Sequence, residues 1–487
     1  MVAGVYGGGS LWWTLINVIG LSCHRLRNKH VARVIGRSSK LLPVWKVIGC
    51  LLWGHFSTGF VDDAKAEDWW QFRGHSGGHV EAKGVPIRWA GVLDEPLWEV
   101  DIPGKGWSSP IVIGDRIWLT SSEETALAED DAQQVLKNRP YGTKDFVVHR
   151  SVQLLAVEID AETGDVLRRL NLLKRGAPPP IHWMNSYASP TPVTDGERLY
   201  CHFGSLGTVC VDVESGRIVW VREFDLEEIT GGGASPLLCG DCLYLSCDGA
   251  DRQFVIALDK TTGKTKWQTA RPPIQVTDDS HRRAFSTPIL IRSSGKEQLI
   301  SMGAQWLVSY EPEGGAEIWR ARVGTGFAPV PTPVYADDRV YVCTGYPTPD
   351  MVAVKTTGVG DVTKSGIAWR YSGQIPEIAS PLLVGGQLYF VTNGGIATSL
   401  DAGTGRELWR ERLGGQFVSS PIHAEGRVYF TSTEGKTTVV TPGHKFEALA
   451  VNELLSETYA TFAVYRSNFL IRTNPFLYCV GGNVAGR

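Results

Sequence analysis

The chain has little net charge and lacks a motif that would name a reaction. Its 487 residues carry 48 Lys and Arg against 51 Asp and Glu, a formal net charge of −3. A phosphate-binding surface needs a basic stripe, and none is visible, so nucleic acid is excluded as a partner. The HExxH zinc motif is absent as well. No residue is therefore predicted to be catalytic.

Cysteine is also scarce. Nine are present, and seven of them follow Ala66. In an oxidising compartment an odd number leaves at least one thiol free or paired between chains. The run Cys239-Gly-Asp-Cys242 has the CxxC spacing of a redox or zinc site, but it falls at a predicted hairpin turn and has no second CxxC to complete it. No metal ligand is predicted.

What the sequence does contain is a repeat. The segment from Ser235 to Trp267 recurs in recognisable form eight times between Ser108 and Val480. Most units align on a proline followed eight residues later by a large side chain, as in Pro236 and Tyr244. A period of 40 to 50 residues means that each unit is one supersecondary block that stacks on its neighbours.

Each unit reads as four strands. Alternating apolar residues over Leu237 to Leu245, broken at Gly240, predict two strands joined by a tight turn. A third strand follows, and then a turn that ends at Gly263 before a strand carrying Trp267. Arg168 and Glu447 stand at the tryptophan position in units one and seven. The tryptophans predicted to dock between neighbouring units are Trp98, Trp220, Trp267, Trp319, Trp369 and Trp409.

The repeat predicts an all-β fold, an eight-bladed β-propeller of four-stranded antiparallel blades. Unit eight ends at Tyr478-Cys-Val-Gly-Gly without a fourth strand, whereas an extra strand stands at the other end, in Glu95 to Asp101. We expect this N-terminal strand to complete the last blade, which leaves no open sheet edge. Residues 67–487 are predicted to form this single domain.

Residues 1–66 differ in composition and are predicted to be a targeting region. Basic residues precede the apolar stretch Leu41 to Phe60, and Ala64-Lys65-Ala66 fits the cleavage pattern of a secretory signal. Export to the periplasm or cell envelope is therefore predicted, and a retained anchor is the alternative. Val47-Ile-Gly-Cys50 resembles a lipoprotein site, but Lys46 interrupts the apolar run before it. Membrane contact is expected at most through an uncleaved N-terminal segment.

Candidate ligand contacts lie in the irregular connections between units. In a propeller the connections entering the innermost strands open on one face, with the loops from second to third strands. The insertion Ser122 to Arg150 is such a loop, and its acidic run Glu123 to Asp131 is expected to be a solvated loop. The candidate ligand-binding residues are Trp107, His182, Asn185, Ser186, Tyr187, His281 and Arg283. The alternative for the cluster from His182 to Tyr187 is that these side chains form hydrogen bonds with the backbone of a long connection. The alternative for His281 and Arg283 is a solvated charge cluster.

The motif AxDxxTGxxxW, most complete from Ala257 to Trp267, resembles the tryptophan-docking repeat of the PQQ-like β-propeller superfamily. Two segments resemble those of exported bacterial members of the superfamily without an assigned reaction. They are Asp68-Trp-Trp-Gln-Phe-Arg-Gly74 and Asn185-Ser-Tyr-Ala-Ser. Other branches are quinoprotein alcohol dehydrogenases and the outer-membrane assembly lipoprotein of the Bam complex. The resemblance covers residues 68–480 and speaks more to fold than to function.

The enzyme branch implies PQQ held over a calcium ion, an Asp base and a disulfide of adjacent cysteines. This chain has no Cys-Cys pair, and no calcium ligand set can be matched, so no cofactor or catalytic residue is carried over. The leading hypothesis is a non-catalytic exported module that binds a protein or small ligand at its loop-rich face. The alternative is a dehydrogenase that uses PQQ and calcium to oxidise an alcohol or sugar.

Overall fold

The computed structural model describes residues 69–89, 96–139, 145–454 and 456–481. The targeting region predicted over residues 1–66, with its cleavage site, lies outside these ranges. No helix within them is long and apolar enough to cross a membrane.

The described chain forms eight blade sheets that follow one another along the sequence, and a ninth, two-stranded sheet in the insertion of blade 1. Two N-terminal strands are β1 (His79–Val80) and β2 (Trp98–Asp101). Blade 1 and its insertion contain β3 (Ile111–Ile113), β4 (Arg116–Ala126), α1 (Glu129–Lys137), β5 (Phe146–Val147), β6 (His149–Asp160), β7 (Val166–Gly176) and β8 (Ile181–His182). Blade 2 contains β9 (Val193–Thr194), β10 (Arg198–His202), β11 (Thr208–Asp212) and β12 (Ile218–Arg222).

The next three blades repeat the pattern. Blade 3 contains β13 (Leu237–Cys239), β14 (Cys242–Asp248), β15 (Gln253–Asp259) and β16 (Thr265–Ala270). Blade 4 contains β17 (Ile289–Ser293), β18 (Lys296–Met302), β19 (Trp306–Tyr310) and β20 (Glu317–Arg322). Blade 5 contains β21 (Val334–Ala336), β22 (Arg339–Cys343), β23 (Met351–Lys355) and β25 (Ile367–Tyr371), while β24 (Gly360–Asp361) pairs with β20. Short 3-10 helices span Gly204–Leu206 and Asp279–Arg282.

Three blades complete the ring. Blade 6 contains β26 (Leu382–Val384), β27 (Gln387–Val391), β28 (Ile396–Asp401) and β29 (Glu407–Arg412). Blade 7 contains β30 (Ile422–Ala424), β31 (Arg427–Thr431), β32 (Lys436–Val440) and β33 (Ala448–Glu453). Blade 8 contains β34 (Ala463–Tyr465), β35 (Asn468–Arg472) and β36 (Phe476–Val480), with β2 as its fourth strand. The predicted eight-bladed propeller is confirmed.

The middle strands of a blade are apolar on both faces because each blade lies between two others. In blade 3 every residue of β14 is buried, whereas the outer strand β16 exposes most of its side chains and buries Trp267. The turn before β16 needs a left-handed residue, and Gly263 supplies it with φ 69°. The Asp259 carboxylate accepts a hydrogen bond from Thr262 N at 2.8 Å and so caps this turn.

The tryptophans dock onto the corresponding turn of the next blade. A Cβ at Gly263 would lie 2.6 Å from the Trp220 ring, and Trp220 Nε1 donates to the carbonyl of Lys260 at 3.0 Å. Equivalent donations run from Trp98 to Ala161, Trp267 to Pro312, Trp369 to Ala402 and Trp409 to Gly443. Trp319 is buried between blades 4 and 5, but its N–H donates to Gln298 in its own blade.

Two blades replace the indole in different ways. In blade 1 the Arg168 guanidinium donates to the carbonyls of Val213 and Glu214 in the next turn. In blade 7 the residue at the tryptophan position is Ala450, not Glu447 as predicted. Gly443 does not take the left-handed conformation of the turn glycines in the other blades, so a count of four residues from it stops three residues short. Trp89, from the chain before blade 8, is 5% exposed and packs there between blades 7 and 8.

Ring closure follows the prediction. β2 pairs antiparallel with β36, with Trp98 opposite Cys479 and Asp101 opposite Phe476. The N-terminal strand therefore completes the last blade, and the ring is closed by hydrogen bonds between the two ends of the described chain.

The insertion in blade 1 lies between the second and third strands, but it is not a simple loop. β4 and β6 run on as a long hairpin, with Glu124 opposite Val152. The acidic run, expected to be a solvated loop, is instead divided between the end of β4 and the first turn of α1, where Glu129, Asp130 and Asp131 lie. Carboxylates there are favoured by the helix dipole.

The segment Trp69–Val80 closes one end of the central channel. Trp69 exchanges backbone hydrogen bonds with Val112 in blade 1, and β1 pairs in parallel with β30 in blade 7. Between them the Arg73 guanidinium donates to the carbonyl of Pro381 in blade 6 at 2.8 Å. The described segment thus crosses from one side of the ring to the other.

Candidate functional site

The other end of the channel holds a cavity of about 460 Å³. Its walls come from the connections that enter the innermost strand of each blade, so all eight blades contribute to it. Phe72, from the segment that closes the channel, contacts the cavity from below. The site therefore lies on the axis of the ring.

A belt of hydroxyl side chains surrounds the base of the cavity. Its members are the residues just before the aligned prolines, Ser109, Thr191, Ser235, Thr287, Thr332, Ser380, Ser420 and Thr461. Six hydrogen bonds of 2.9 to 3.0 Å link neighbouring blades, each from the backbone N–H of one member to the hydroxyl of the next. All members except Thr332 line the cavity. The belt joins adjacent blades and presents a polar floor.

An apolar collar lies above the belt. Each collar residue stands two positions before a belt residue, and because side chains of an extended chain alternate with period two, both point into the channel. The apolar collar members are Trp107, Phe285, Val330, Ile378, Val418 and Tyr459. Trp107 stacks on Tyr459 with ring centroids 4.3 Å apart, which brings blades 8 and 1 together. Trp107 Nε1 also donates to the carbonyl of Met184 at 3.0 Å.

The mouth of the cavity is more polar. Residues there include His182, Asn185, Arg283, Phe327 and Tyr346. Among the described lining residues, Arg283 is the one with a permanent charge. The mouth therefore holds one permanent positive charge above an apolar wall.

The surroundings of Arg283 leave its charge uncompensated by an ion pair. Its guanidinium lies over the Phe327 ring, 5.2 Å from the centroid, and donates through Nη1 to the carbonyl of Ser280. No described carboxylate lies within ion-pair distance of it, and Nε is buried without a partner. Burial lowers the pKa of Arg283, and the nearby Asp278 carboxylate opposes this effect. An anionic ligand group would complement the charge of Arg283.

The blade-two connection supports its own backbone through Asn185. The Asn185 amide donates to the carbonyls of Thr230 at 2.9 Å and Gly232 at 3.2 Å, and its oxygen accepts from Ser186 N at 2.9 Å. The Asn185 side chain therefore lines the cavity, but its hydrogen bonds are made to the backbone of the protein.

Ser186 and Tyr187 do not line the cavity. The Ser186 hydroxyl accepts from Ala188 N at 3.2 Å, and the Tyr187 hydroxyl donates to the carbonyl of Pro179 at 2.8 Å. Burial raises the pKa of Tyr187. In the structure both side chains form hydrogen bonds with the backbone of the long connection.

The two candidate histidines lie in different places. His182 lines the mouth, and burial lowers its pKa, with Asp145 opposing and Arg283 adding to the effect. His281 stacks on Phe327 at 3.9 Å between centroids and faces Asp278 at 3.9 Å, outside the cavity lining. Of the seven candidate residues, the structure brings Trp107, His182, Asn185 and Arg283 together around one cavity.

The belt and most of the collar escaped the sequence reasoning. A signal was available, because a Ser or Thr precedes the aligned position in every unit, and the residue two before it is usually apolar. The period identified the unit, but only the closed ring makes these eight positions neighbours.

The residues of the cavity do not fit the calcium ion over which the cofactor of the enzyme branch would be held. Calcium takes six to eight oxygen ligands with carboxylates among them. No Asp or Glu lines the described cavity, and the described residues contain no cluster of His, Cys, Asp and Glu that could hold a metal. Cys239 and Cys242 face each other across a hairpin, and both are free thiols.

A second cavity of about 490 Å³ lies against the segment that closes the channel. Its lining includes Gly74, His75, Ser76 and Gly77, which with Gly78 match the GxSxG pattern of serine hydrolases. That motif works on a turn from strand to helix. Here it forms a run of turns that leads into β1, and no described histidine is hydrogen-bonded to Ser76. The match has no catalytic geometry.

The closed ring of eight blades and the docking tryptophans define the chain as a PQQ-like β-propeller. A family model described as outer membrane protein assembly factor BamB matches residues 153–365 and 355–444, and the chain belongs to this family. No curated protein matches the chain.

Solved structures with this fold are distant in sequence. A europium-containing methanol dehydrogenase is 9% identical with a TM-score of 0.58, covering 84% of this chain and 89% of its own. The computationally designed Ika8 protein is 12% identical with a TM-score of 0.51, covering 80% of this chain and 99% of its own. BamB from Moraxella catarrhalis is 13% identical with a TM-score of 0.49, covering 74% of this chain and 98% of its own.

Proposed function

We propose that this protein is a non-catalytic binding module that takes an apolar group of a partner protein into the channel cavity. The observation that carries the proposal is the collar. Six apolar side chains from six blades point into one cavity and stay partly exposed there. Concave apolar sites with a few convergent polar groups are the usual form of binding pockets.

The polar residues of the cavity support binding over chemistry. Asn185 is held by internal hydrogen bonds, and the belt hydroxyls accept from backbone N–H groups. Because no described carboxylate lines the cavity, its lining lacks the ligands that the calcium ion of the PQQ alternative would need. A binding role also agrees with the family description, an assembly factor of the outer membrane. We extend this to a protein partner and to a periplasmic or cell-envelope location.

A photo-crosslinking experiment tests the proposal. p-Benzoylphenylalanine replaces Val418 in the collar, and in a control protein it replaces Val451, which is 48% exposed on the outer strand of blade 7. Each purified protein is irradiated with an envelope extract of the source cells. We expect an adduct at Val418 that has no counterpart at Val451. No adduct at Val418, and none at the second collar position Ile378, would overturn the proposal, as would identical adducts at both faces.

A further inference from the structure

Apolar side chains continue beyond the cavity onto the surface around its mouth. Trp183 is 53% exposed, Tyr346 is 51% exposed and Met184 is 36% exposed. A small molecule enclosed by the collar would leave these side chains in water. Exposed apolar side chains around the mouth of a cavity are expected where a larger partner makes contact.

A permanent positive charge lies at the mouth. Arg283 is the permanently charged residue among the described cavity lining, and it has no carboxylate within ion-pair distance. By contrast, its neighbour Arg282 is paired with Asp279 at 2.9 Å. A guanidinium recognises a carboxylate through two parallel hydrogen bonds, so a carboxylate is the group that complements this site.

The spacing along blade 4 sets the distance between the two subsites. Arg283, Phe285 and Thr287 alternate along one chain and all line the cavity. At a rise of about 3.3 Å per residue, neighbouring lining positions lie roughly 7 Å apart. This matches the separation of adjacent same-face side chains in an extended peptide. An acidic residue two positions from an apolar residue would reach both subsites.

We propose that the loop-rich face captures an extended acidic and apolar peptide segment of a partner protein. Its carboxylate binds Arg283, a neighbouring apolar side chain enters the collar, and flanking residues cover Trp183 and Tyr346. This inference rests on the proposed binding function and names the partner's chemistry.

Peptide display provides the test. A library of random dodecapeptides on phage is selected against the full-length protein, against Arg283→Gln, and against a collar variant carrying Phe285→Ser and Val418→Ser. The matched control is Arg282→Gln, which changes a paired arginine outside the cavity. We expect the wild-type protein to enrich Asp or Glu two positions from Leu, Phe or Trp. Arg283→Gln should lose the acidic preference and keep the apolar one, while Arg282→Gln should match the wild type.

The outcomes separate this inference from the proposed function. Apolar enrichment without acidic residues, or an acidic preference that survives Arg283→Gln, overturns the inference and leaves the collar as a binding site. Enrichment that is the same for the wild type and the collar variant overturns both.

Affinities of one enriched peptide, measured by fluorescence anisotropy, then identify the class of occupant. Arg283→Gln should weaken binding by about tenfold or more, and Arg283→Lys should restore part of it. Trp183→Ser should weaken binding of the peptide by roughly fivefold and leave the affinity for indole-3-propionate unchanged. If indole-3-propionate binds as tightly as the peptide, the occupant is a small aromatic acid, and the peptide assignment is wrong.

Discussion

Trp89 occupies a wedge for which the repeat supplies no tryptophan. Its ring lies 5.7 Å from that of Phe469 and 6.2 Å from that of Tyr429, so it contacts blades 7 and 8 at once. Ala450, at the docking position of blade 7, is too small to fill the space. One residue from outside the repeat therefore replaces the missing member of the set.

Trp89→Ala should be strongly destabilising. Burial of a large aromatic side chain is lost and a void is left, which costs about 3 to 5 kcal/mol of unfolding free energy. Urea unfolding followed by tryptophan fluorescence measures it. Trp183→Ala is the control, since that side chain is 53% exposed and its loss should stay within about 0.5 kcal/mol. Equal effects of the two substitutions would contradict the packing role of Trp89.

His79 in β1 and His423 in β30 form a contact that we expect to be sensitive to pH. Their Nδ1 atoms lie 3.3 Å apart. Burial, with Arg73 nearby, lowers the pKa of His79; burial, with His79 and Arg427, lowers the pKa of His423 to about 4. Both rings are neutral in the folded protein near neutral pH.

Stability should fall as the pH drops from about 6.5 towards 4. In that window the unfolded chain binds protons that the folded His423 does not, so the free energy of unfolding decreases with decreasing pH. Because His423 is half-buried, we expect a change of order 1 kcal/mol. Urea unfolding at pH 7.5 and 5.0 measures it, and His423→Gln should flatten the difference. His444→Gln, on an exposed residue, should not; a pH dependence unchanged by His423→Gln would refute the assignment.

At the scale of elements, the contact between blades 1 and 2 depends on an ion pair in place of an indole. Glu158 in β6 is 4% exposed and pairs with Arg168 in β7, which in turn bonds the carbonyls of Val213 and Glu214. A buried carboxylate is costly without its partner. The arginine thus compensates a charge and docks the next blade.

Arg168→Ala should lower the unfolding free energy by about 3 kcal/mol, because Glu158 is left buried with only Arg116 at 3.9 Å. Urea unfolding of single and double variants tests this. Adding Glu158→Gln should recover part of the loss, since it removes the uncompensated charge. Arg282→Ala, which removes an exposed pair, should change stability by less than about 1 kcal/mol. Additive losses in the double variant would contradict the coupling.

At the scale of the whole molecule, ring closure predicts one cooperative unfolding unit. The seven cysteines of the described residues are free and distributed over blades 2, 3, 5 and 8. Burial raises the pKa of Cys210 and Cys479 to about 12, so these thiols are protected while the blades are folded. Because β2 supplies the fourth strand of blade 8, the ring has no incomplete blade from which unfolding could begin.

Pulse labelling with N-ethylmaleimide along a urea series tests this cooperativity. The buried thiols Cys201, Cys343 and Cys479 should become reactive at the same urea concentration, as mass spectrometry of their peptides would record. Cys239, which is half-buried, should react earlier. Labelling of Cys479 well before Cys201 would mean that blade 8 opens alone and that the closing strand is not stabilising the ring.

Local rules account for what the sequence alone predicted. A turn glycine such as Gly263, a capping Asp259 and alternating apolar residues act over a few positions, so they identify strands and turns wherever they occur. Their period predicted the number of blades, and the strand missing after Tyr478 predicted the closure by β2. The position of the blade-seven substitute was wrong because Gly443 resembles a turn glycine in sequence, and only the pairing of β32 and β33 places Ala450 at the docking position.

The sequence by itself determined the eight-bladed ring and how it closes, because every blade repeats the same local instructions. The tertiary structure alone decided the site. Residues as far apart as Trp107 and Tyr459 become neighbours only when the ring closes, and partners such as Thr230 and Pro179 turn Asn185 and Tyr187 inward. A binding surface built from one residue per blade depends on convergence in space, and no local pattern encodes that.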